Sequence, residues 1–137
     1  MEISYIHRET HSDLLSASLG VLEFSNLSFL VKRVYWLSNF VEGISRGNHA
    51  HKDLNQVMLM IKGRLDLELC FGIKSKTIEM NERSDYVLVP AGHWRVMKNA
   101  SPDAVLLVLA DSEYRPDDYI RNWDDYLLWF LDKYNEC

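Results

Sequence analysis

The sequence predicts an all-β fold, either a closed barrel or a sandwich of short strands, that ends in one α-helix. Eight short runs rich in aliphatic and aromatic residues recur between turn residues, with no helical pattern between them. Many short strands without intervening helices are typical of sandwiches and barrels. The runs are residues 19–24, 29–38, 55–62, 64–71, 76–80, 85–89, 94–98 and 104–110.

The run 64–71 is the clearest strand, because its residues alternate in polarity. Successive side chains of a strand point to opposite faces, so this alternation predicts a half-buried strand. Lys62-Gly63 before it supplies a hairpin turn, and Gly72 after it marks a second one. The apolar members are Leu65, Leu67, Leu69 and Phe71, and the intervening members are Arg64, Asp66, Glu68 and Cys70.

Only the last segment departs from the strand pattern. The apolar residues of 117–134 recur at helical spacing, and Pro116 stands where a helix begins. Asp117 or Asp118 can cap that helix. We therefore predict a C-terminal helix over residues 117–134. Its apolar residues are Tyr119, Ile120, Trp123, Tyr126, Leu127, Phe130 and Leu131.

Length and composition fit one domain that spans residues 1–137. The chain is 47% hydrophobic and 26% charged, which allows a packed core, and its net charge of −5 argues against binding to nucleic acid. Two cysteines, Cys70 and Cys137, are too few for a disulfide framework, and we expect the terminal Cys137 to be mobile. With no signal peptide and no apolar run of membrane-spanning length, we expect a soluble cytoplasmic protein with no membrane partner.

The densest polar cluster, residues 46–56, contains two histidines, His49 and His51. Residues at i and i+2 on a strand project from the same face, so the two imidazoles can share one ligand. That ligand is either a metal ion or a substrate inside a barrel. A histidine pair also occurs as a structural feature, so the surrounding sequence has to decide its function.

Glycines and polar residues flank the histidine pair at regular spacing. Gly43 is followed by five residues and then His49-Ala50-His51. Gln56 follows after four more residues, and Gly63 after another six. Further along, Pro90-Ala91-Gly92 precedes Arg95 and Asn99. The two patterns resemble the two motifs of the cupin family, and this resemblance implies a double-stranded β-helix, the jelly-roll barrel of cupins.

The chain departs from the metal-binding cupin pattern at two positions. Gln56 stands where metal cupins have glutamate, and Arg95 stands where they have the last histidine. A neutral amide is a poor ligand for a transition metal, and a permanent cation repels one. His93 is an alternative ligand, but it is two positions from the motif histidine. We therefore predict a site without metal and without cofactor.

A closer resemblance covers about residues 19–126. Residues 29–35, 46–52, 105–110 and 118–121 are similar to the sugar 3,4-ketoisomerases that act on dTDP-4-keto-6-deoxyglucose. The resemblance implies a metal-independent homodimer with exchanged N-terminal strands. It also implies a dTDP-linked keto sugar as substrate, in deoxysugar synthesis for O-antigen, lipopolysaccharide or other surface polysaccharides.

By this resemblance, His49 is the base that removes the C3 proton, which the adjacent C4 carbonyl acidifies. His51 shuttles a proton or polarises the oxygens, and Tyr35 donates to a sugar oxygen or relays a proton. Many relatives carry histidine where this chain has Arg95, and an arginine is a poor proton donor. We therefore expect the exchange to affect the configuration at C4, and we favour the gluco product over the galacto one.

Further polar and aromatic residues are candidates for substrate binding, each with a structural alternative. The arginines bind diphosphate or form ion pairs, the amides bind sugar or orient a histidine, and the aromatic rings stack on the ligand or belong to the core. We expect Trp36, Trp123 and Trp129 to be core residues, with a dimer surface as the alternative for Trp129. The candidates are Arg33, Arg46, Asn48, Gln56, Trp94, Arg95, Tyr119 and Arg121.

Three other functions fit the same fold. A nucleotide-sugar 3,5-epimerase is also metal-independent, and its base is usually one histidine with a partner aspartate. A non-catalytic sugar-binding cupin needs the pocket and not the base. A metal-dependent oxygenase or isomerase needs a tightly held metal.

Overall fold

The computed structural model describes residues 2–12 and 17–135, and Cys137 lies outside them. The backbone forms two five-stranded antiparallel sheets, a separate two-stranded hairpin and one C-terminal helix. The strands are β1 Ser4–Ile6, β2 Glu9–Ser12, β3 Ser18–Val21, β4 Arg33–Leu37, β5 Arg46–His51, β6 Gln56–Lys62, β7 Arg64–Phe71, β8 Lys74–Asn81, β9 Tyr86–Val89, β10 Trp94–Lys98, β11 Val105–Ala110 and β12 Tyr119–Ile120, and the helix is α1 Trp123–Tyr134.

The strand order in both sheets is that of a jelly roll. The first sheet has the order β1-β9-β6-β11-β4, the second β12-β5-β10-β7-β8, and β2 pairs only with β3. From β4 onward, consecutive strands alternate between the two five-stranded sheets, except that β7 and β8 form a hairpin within the second sheet. Lys62-Gly63 therefore connects strands of different sheets, and the hairpin turn predicted there is wrong. The predicted all-β cupin fold with a C-terminal helix is confirmed.

The inner faces of the two sheets form the main core. Leu65, Leu67 and Leu69 of β7 are at most 1% exposed, as their alternation predicted. They pack with Met58 and Leu106 of the opposite sheet. Cys70 was predicted to face outward, yet it is 6% exposed, because α1 covers this end of the outer face of the second sheet.

Two short N-terminal strands, β1 and β2, lie outside every predicted run. The run 29–38 contributes a strand only from Arg33 onward. The residues before it, among them Phe29 and Val31, cover the outer face of the first sheet, where they pack against Leu59 and Tyr86.

The helix is shorter than predicted, since it begins at Trp123 and not at residue 117. The side chain of Asn122 caps it by accepting a hydrogen bond from the Asp125 backbone N–H at 3.0 Å. Residues 116–118 form a 3-10 turn, and β12 pairs with β5, so these backbone groups are already occupied. Asp118 is therefore not a helix cap.

The helix is fixed to the barrel by Tyr126, which is fully buried. Its hydroxyl accepts from the Gly72 N–H at 3.0 Å and donates to the Gly92 carbonyl at 2.8 Å. Across the described ranges, none of the helices has the length and apolar character needed to cross a membrane.

Candidate active site

A cleft of about 450 Å³ opens between β4, an edge strand of the first sheet, and β5 of the second sheet. Toward the cleft, the inner faces of the strands change from apolar to polar. On β6 the inward residue nearer the cleft is Gln56 and the next one inside is Met58; on β10 the corresponding residues are Arg95 and Met97. The cleft is lined by Arg33, Tyr35, Trp36, Leu37, Ser45, Arg46, Gly47, Asn48, His49, Met97, Tyr119 and Arg121.

The two histidines of β5 lie at the bottom of the cleft with their imidazole rings nearly perpendicular, at an interplanar angle of 88°. Nε2 of His49 is 3.2 Å from Nε2 of His51. Nδ1 of His49 donates to the Gly47 carbonyl at 3.0 Å. His49 lines the cleft, whereas His51 is 1% exposed and lies beneath it.

An irregularity in β5 aims the histidines into the cleft. Gly47 and Asn48 both have positive φ, +90° and +55°, and the pairing of β5 with β10 shifts register here. A Cβ on Gly47 would lie 3.0 Å from the Arg95 carbonyl oxygen, so this close approach of the strands requires glycine. Asn48 tolerates the left-handed conformation and donates to Ser45 Oγ at 3.3 Å.

Asp118 is a residue of the site that the sequence analysis missed. Its Oδ2 accepts from Nδ1 of His51 at 2.9 Å, and its Oδ1 accepts from the Asp53 backbone N–H at 2.7 Å. The two residues of this hydrogen-bonded pair are separated by 67 positions in the sequence. A possible signal was the short segment 118–121, whose pairing with β5 brings it beside the histidines.

A buried chain of hydrogen bonds connects Arg95 to Tyr35 on the opposite sheet. Arg95 is 1% exposed; it donates from Nη1 to Gln56 Oε1 and from Nη2 to the His93 carbonyl at 3.0 Å. Gln56 in turn donates from Nε2 to the Tyr35 hydroxyl at 2.8 Å. Because Arg95 fixes the amide orientation, the Tyr35 oxygen accepts from Gln56, and its own proton is free to be donated into the cleft.

Burial and the guanidinium of Arg95 hold both imidazoles in their neutral form. Burial is the larger cause and the charge of Arg95 the next: together they lower the pKa of His49 from 6.5 to about 4, and they also lower the pKa of His51. Burial lowers the pKa of Arg95 to about 10, so it remains a cation at neutral pH. Burial raises the pKa of Tyr35, and the charge of Arg95 partly offsets this.

Arginines and aromatic rings form the rim of the cleft. The Arg33 guanidinium lies 4.6 Å from the centre of the Tyr35 ring, and that of Arg121 lies 4.2 Å from the centre of the Tyr119 ring. The Tyr119 ring in turn lies 4.4 Å from the His51 ring.

Most of the predicted site residues come together at this cleft, with Gln56 and Arg95 directly beneath its surface. Trp94 does not: its ring packs against Trp123 and Tyr126 under the helix. Trp36 was expected in the core, which is wrong. It is 64% exposed in the cleft wall, because β4 is an edge strand whose outer face is uncovered at this point.

The donors at the site do not form a metal-binding group. Among residues 2–12 and 17–135, no cluster of three or more histidine, cysteine, aspartate or glutamate side chains is arranged to hold a metal ion. Arg95 and Gln56 occupy the positions that would have to complete the ligand set around His49 and His51.

Comparisons with known proteins agree on one family. The family model described as FdtA: WxcM-like, C-terminal, matches residues 1–130. The TDP-4-oxo-6-deoxy-alpha-D-glucose-3,4-oxoisomerase of Aneurinibacillus thermoaerophilus is 31% identical over 126 residues, which are 92% of this chain and 91% of the relative.

Two solved structures are similar to the whole molecule. A variant of the 3,4-ketoisomerase QdtA from Thermoanaerobacterium thermosaccharolyticum, in complex with TDP-4-keto-6-deoxyglucose, is 31% identical with a TM-score of 0.90, over 98% of this chain and 97% of that one. The TDP-quinovose 3,4-ketoisomerase WlaRB from Campylobacter jejuni is 35% identical with a TM-score of 0.83, over 92% and 97%. The chain thus belongs to the WxcM-like FdtA family, and it is an isomerase of the sugar 3,4-ketoisomerase type.

Proposed function

We propose that this isomerase converts TDP-4-keto-6-deoxyglucose to its 3-keto isomer without a metal or cofactor. The observation that carries the proposal is the pair of imidazoles at the floor of the cleft, which are neutral near pH 7 beside a buried cation. The reaction needs a base, a donor for the oxygens and a positive charge near the intermediate, and no redox group.

The rim of the cleft supplies the binding groups. The guanidinium groups of Arg33, Arg46 and Arg121 offer positive charge and paired donors to the diphosphate of the nucleotide. The rings of Trp36 and Tyr119, which line the cleft, provide flat surfaces for the base or the sugar. Asn48 lines the cleft, and its amide can form a hydrogen bond with a sugar hydroxyl.

In the first step, Nε2 of His49 removes the proton from C3, and His51 Nε2 at 3.2 Å accepts a hydrogen bond from the imidazolium that forms. The electrons of the C3–H bond move into a C3–C4 double bond, and the C4 carbonyl oxygen becomes an enediolate oxygen. The fixed charge of Arg95 stabilises this anion.

In the second step, a proton is added at C4, the hydroxyl proton moves from O3 to O4, and O3 becomes the new carbonyl oxygen. His49 releases to solvent the proton that it took from C3, and the C4 donor regains a proton from solvent. In the gluco product the new C4 hydrogen lies on the face opposite to the C3 hydrogen that was removed. A donor other than His49 is then required. Tyr35 extends from the opposite sheet with its O–H directed into the cleft, and Arg95 is too weak an acid for this step.

Two observations support the gluco product. Arginine occupies position 95, and the 35% identical relative is named for TDP-quinovose, which is the 6-deoxyglucose nucleotide. The product then serves as a precursor of 3-amino-3,6-dideoxy sugars for surface polysaccharides. We propose a cytoplasmic location, because the substrate is an activated nucleotide sugar.

The second candidate function is nucleotide-sugar epimerisation, and the His51–Asp118 hydrogen bond favours it, because an epimerase base is usually a histidine with a partner aspartate. Epimerisation at C5 exchanges the C5 proton with solvent. In 3,4-isomerisation, by contrast, the C3 proton is lost and a proton from solvent is added at C4.

The deciding experiment incubates the protein with TDP-4-keto-6-deoxyglucose in deuterated water and follows the sugar by proton NMR. We expect the C3 proton signal to disappear and a 3-keto sugar with deuterium at C4 to accumulate. In a parallel sample in ordinary water, the coupling between H4 and H5 gives the C4 configuration. Exchange at C5 would establish the epimerase, and an unchanged spectrum would leave a sugar-binding cupin as the better hypothesis. The His49→Asn variant is the control without the base.

We also propose a homodimer in which each subunit is one cupin domain. The outer face of the first sheet carries an apolar depression of about 230 Å³, and Phe24 and Ile61 at its border are more than half exposed. The β2–β3 hairpin belongs to neither five-stranded sheet, so it offers strand edges to a second copy.

A further inference from the structure

Asp118 is 4% exposed, and both of its carboxylate oxygens are engaged. Oδ1 accepts from the backbone N–H of Asp53, a group that can only donate. This contact fixes the orientation of the carboxylate, with Oδ2 facing His51. Because a carboxylate can only accept, Nδ1 of His51 must carry a proton.

The tautomer of His51 decides whether His49 can act as a base. With its proton on Nδ1, neutral His51 has a lone pair on Nε2, directed at His49 Nε2. His49 donates from Nδ1 to the Gly47 carbonyl, so its Nε2 also carries a lone pair. No proton then lies between the two Nε2 atoms, so His49 can accept one. In the other tautomer, His51 would itself donate to His49 Nε2 and occupy the lone pair that the reaction needs.

We propose that Asp118 is a positioning residue that holds His51 as the Nδ1–H tautomer and so keeps His49 free to take a proton from the substrate. The inference rests on the proposed function, because it concerns the same proton transfer. The backbone supports it, since Tyr119 pairs with His51 and the Lys52 N–H donates to the Asp118 carbonyl at 2.9 Å.

The variant that tests it is Asp118→Asn, which preserves shape and removes one acceptor. In the variant, the Asp53 N–H still donates to the amide oxygen of residue 118, so the amide NH₂ group faces His51 Nδ1. Because this NH₂ group can only donate, Nδ1 must accept, and the imidazole proton moves to Nε2. We expect kcat to fall by at least about 100-fold, the contribution of a general base, while KM changes little because Asp118 does not line the cleft. Asp117→Asn is the matched control: that side chain is 83% exposed, and we expect wild-type kcat.

Imidazole ¹⁵N NMR on protein labelled at its five histidines reads the tautomer without substrate. We expect the wild-type His51 to carry its proton on Nδ1 and the Asp118→Asn variant to carry it on Nε2, with the signals assigned by single histidine substitutions. A wild-type His51 protonated on Nε2, or an Asp118→Asn variant with wild-type kcat, would overturn the proposal.

The wild-type spectrum decides the tautomer even if the variant does not fold. It also separates this inference from the proposed function. If the wild-type protein fails to isomerise the sugar, the proposed function is wrong, and the position of the proton on His51 still tells whether Asp118 controls it.

Discussion

Arg95 is a cation buried almost completely beside two imidazoles that are held neutral. Burying a charge costs free energy unless it is paired or hydrogen-bonded. Gln56 Oε1 and the His93 carbonyl accept hydrogen bonds from Nη1 and Nη2 of Arg95. Its Nε is buried without a hydrogen-bond partner among the described residues. The site thus keeps a fixed positive charge in a region of low dielectric constant, where it acts strongly on an anionic intermediate.

The lowered pKa of His49 predicts the acid limb of the pH profile. A base works only when unprotonated, so kcat/KM should stay level from pH 7 down to about pH 5 and fall as the pH drops through about 4, the lowered pKa of His49. Initial rates across this range test the prediction, and an inflection near 6.5 would contradict it.

Circular dichroism over the same range is the necessary control. The unfolded chain binds protons on histidine below pH 6.5, while folded His49 binds one only near pH 4. Between these values the unfolded state binds more protons, so the free energy of unfolding falls as the pH falls. Loss of structure must therefore be separated from loss of the base.

The Tyr35 hydroxyl is predicted to be the donor for C4. Tyr35→Phe removes this proton and leaves Gln56 Nε2 without its acceptor, so we expect kcat to fall by about 100-fold with a smaller change in KM. Steady-state kinetics measure both constants. Tyr114→Phe, at a 54% exposed position near the cleft, is the matched control. A Tyr35→Phe variant with wild-type kcat would show that C4 receives its proton from another group.

At the scale of elements, the helix packs directly against the turn at Gly92. Gly92 has φ +85°, and a Cβ there would lie 2.6 Å from the Tyr134 hydroxyl of α1. Glycine satisfies both the backbone conformation and the close approach. The helix can therefore lie close enough for Tyr126 to reach the backbone of the barrel.

Gly92→Ala and Gly43→Ala separate these two roles. Both positions have positive φ, so each substitution should cost about 1–2 kcal/mol of the free energy of unfolding. Gly43 has open space around it, whereas Gly92 meets Tyr134, so Gly92→Ala should be the more destabilising. Urea unfolding followed by circular dichroism measures the difference, and equal losses would mean that the helix contact contributes nothing.

The elements that sequence predicted best are those that local pattern determines. Alternation in β7 gave the strand and its buried leucines. The start of α1 was wrong because Asp118 and Tyr119 have partners on β5, far away in sequence. Short edge strands such as β1 carry too few residues for a recognisable pattern.

At the scale of the whole molecule, the two sheets bring together what the sequence keeps apart. The histidine pair and Arg95 were found from motif spacing, since both lie on strands with recognisable neighbours. The Arg95–Gln56–Tyr35 chain and the His51–Asp118 pair were not, because their members are separated by 21 to 67 positions and meet only when the barrel closes. Exposure of Trp36 likewise follows from the position of β4 at a sheet edge.

The proposed dimer predicts that charge on the outer face of the first sheet yields monomers. Ile61→Glu introduces a carboxylate beside the apolar depression, and we expect it to lower the mass measured by sedimentation equilibrium by half. Ile73→Glu is the matched control, because Ile73 is 67% exposed at the turn between β7 and β8 of the other sheet. A wild-type chain that sediments as a monomer would contradict the proposed dimer.

Strand β12 is only two residues long, yet it connects Asp118, the hydrogen-bond partner of His51, to the helix. A two-residue edge strand has few backbone hydrogen bonds, so it opens at lower free energy than the barrel strands. Opening would remove Asp118 from His51 while the other strands of both sheets remain paired. Inactivation by heat or denaturant should therefore precede global unfolding. Amide hydrogen exchange at residues 119–120 would show whether opening of β12 or unfolding of the whole molecule limits the working lifetime of the enzyme.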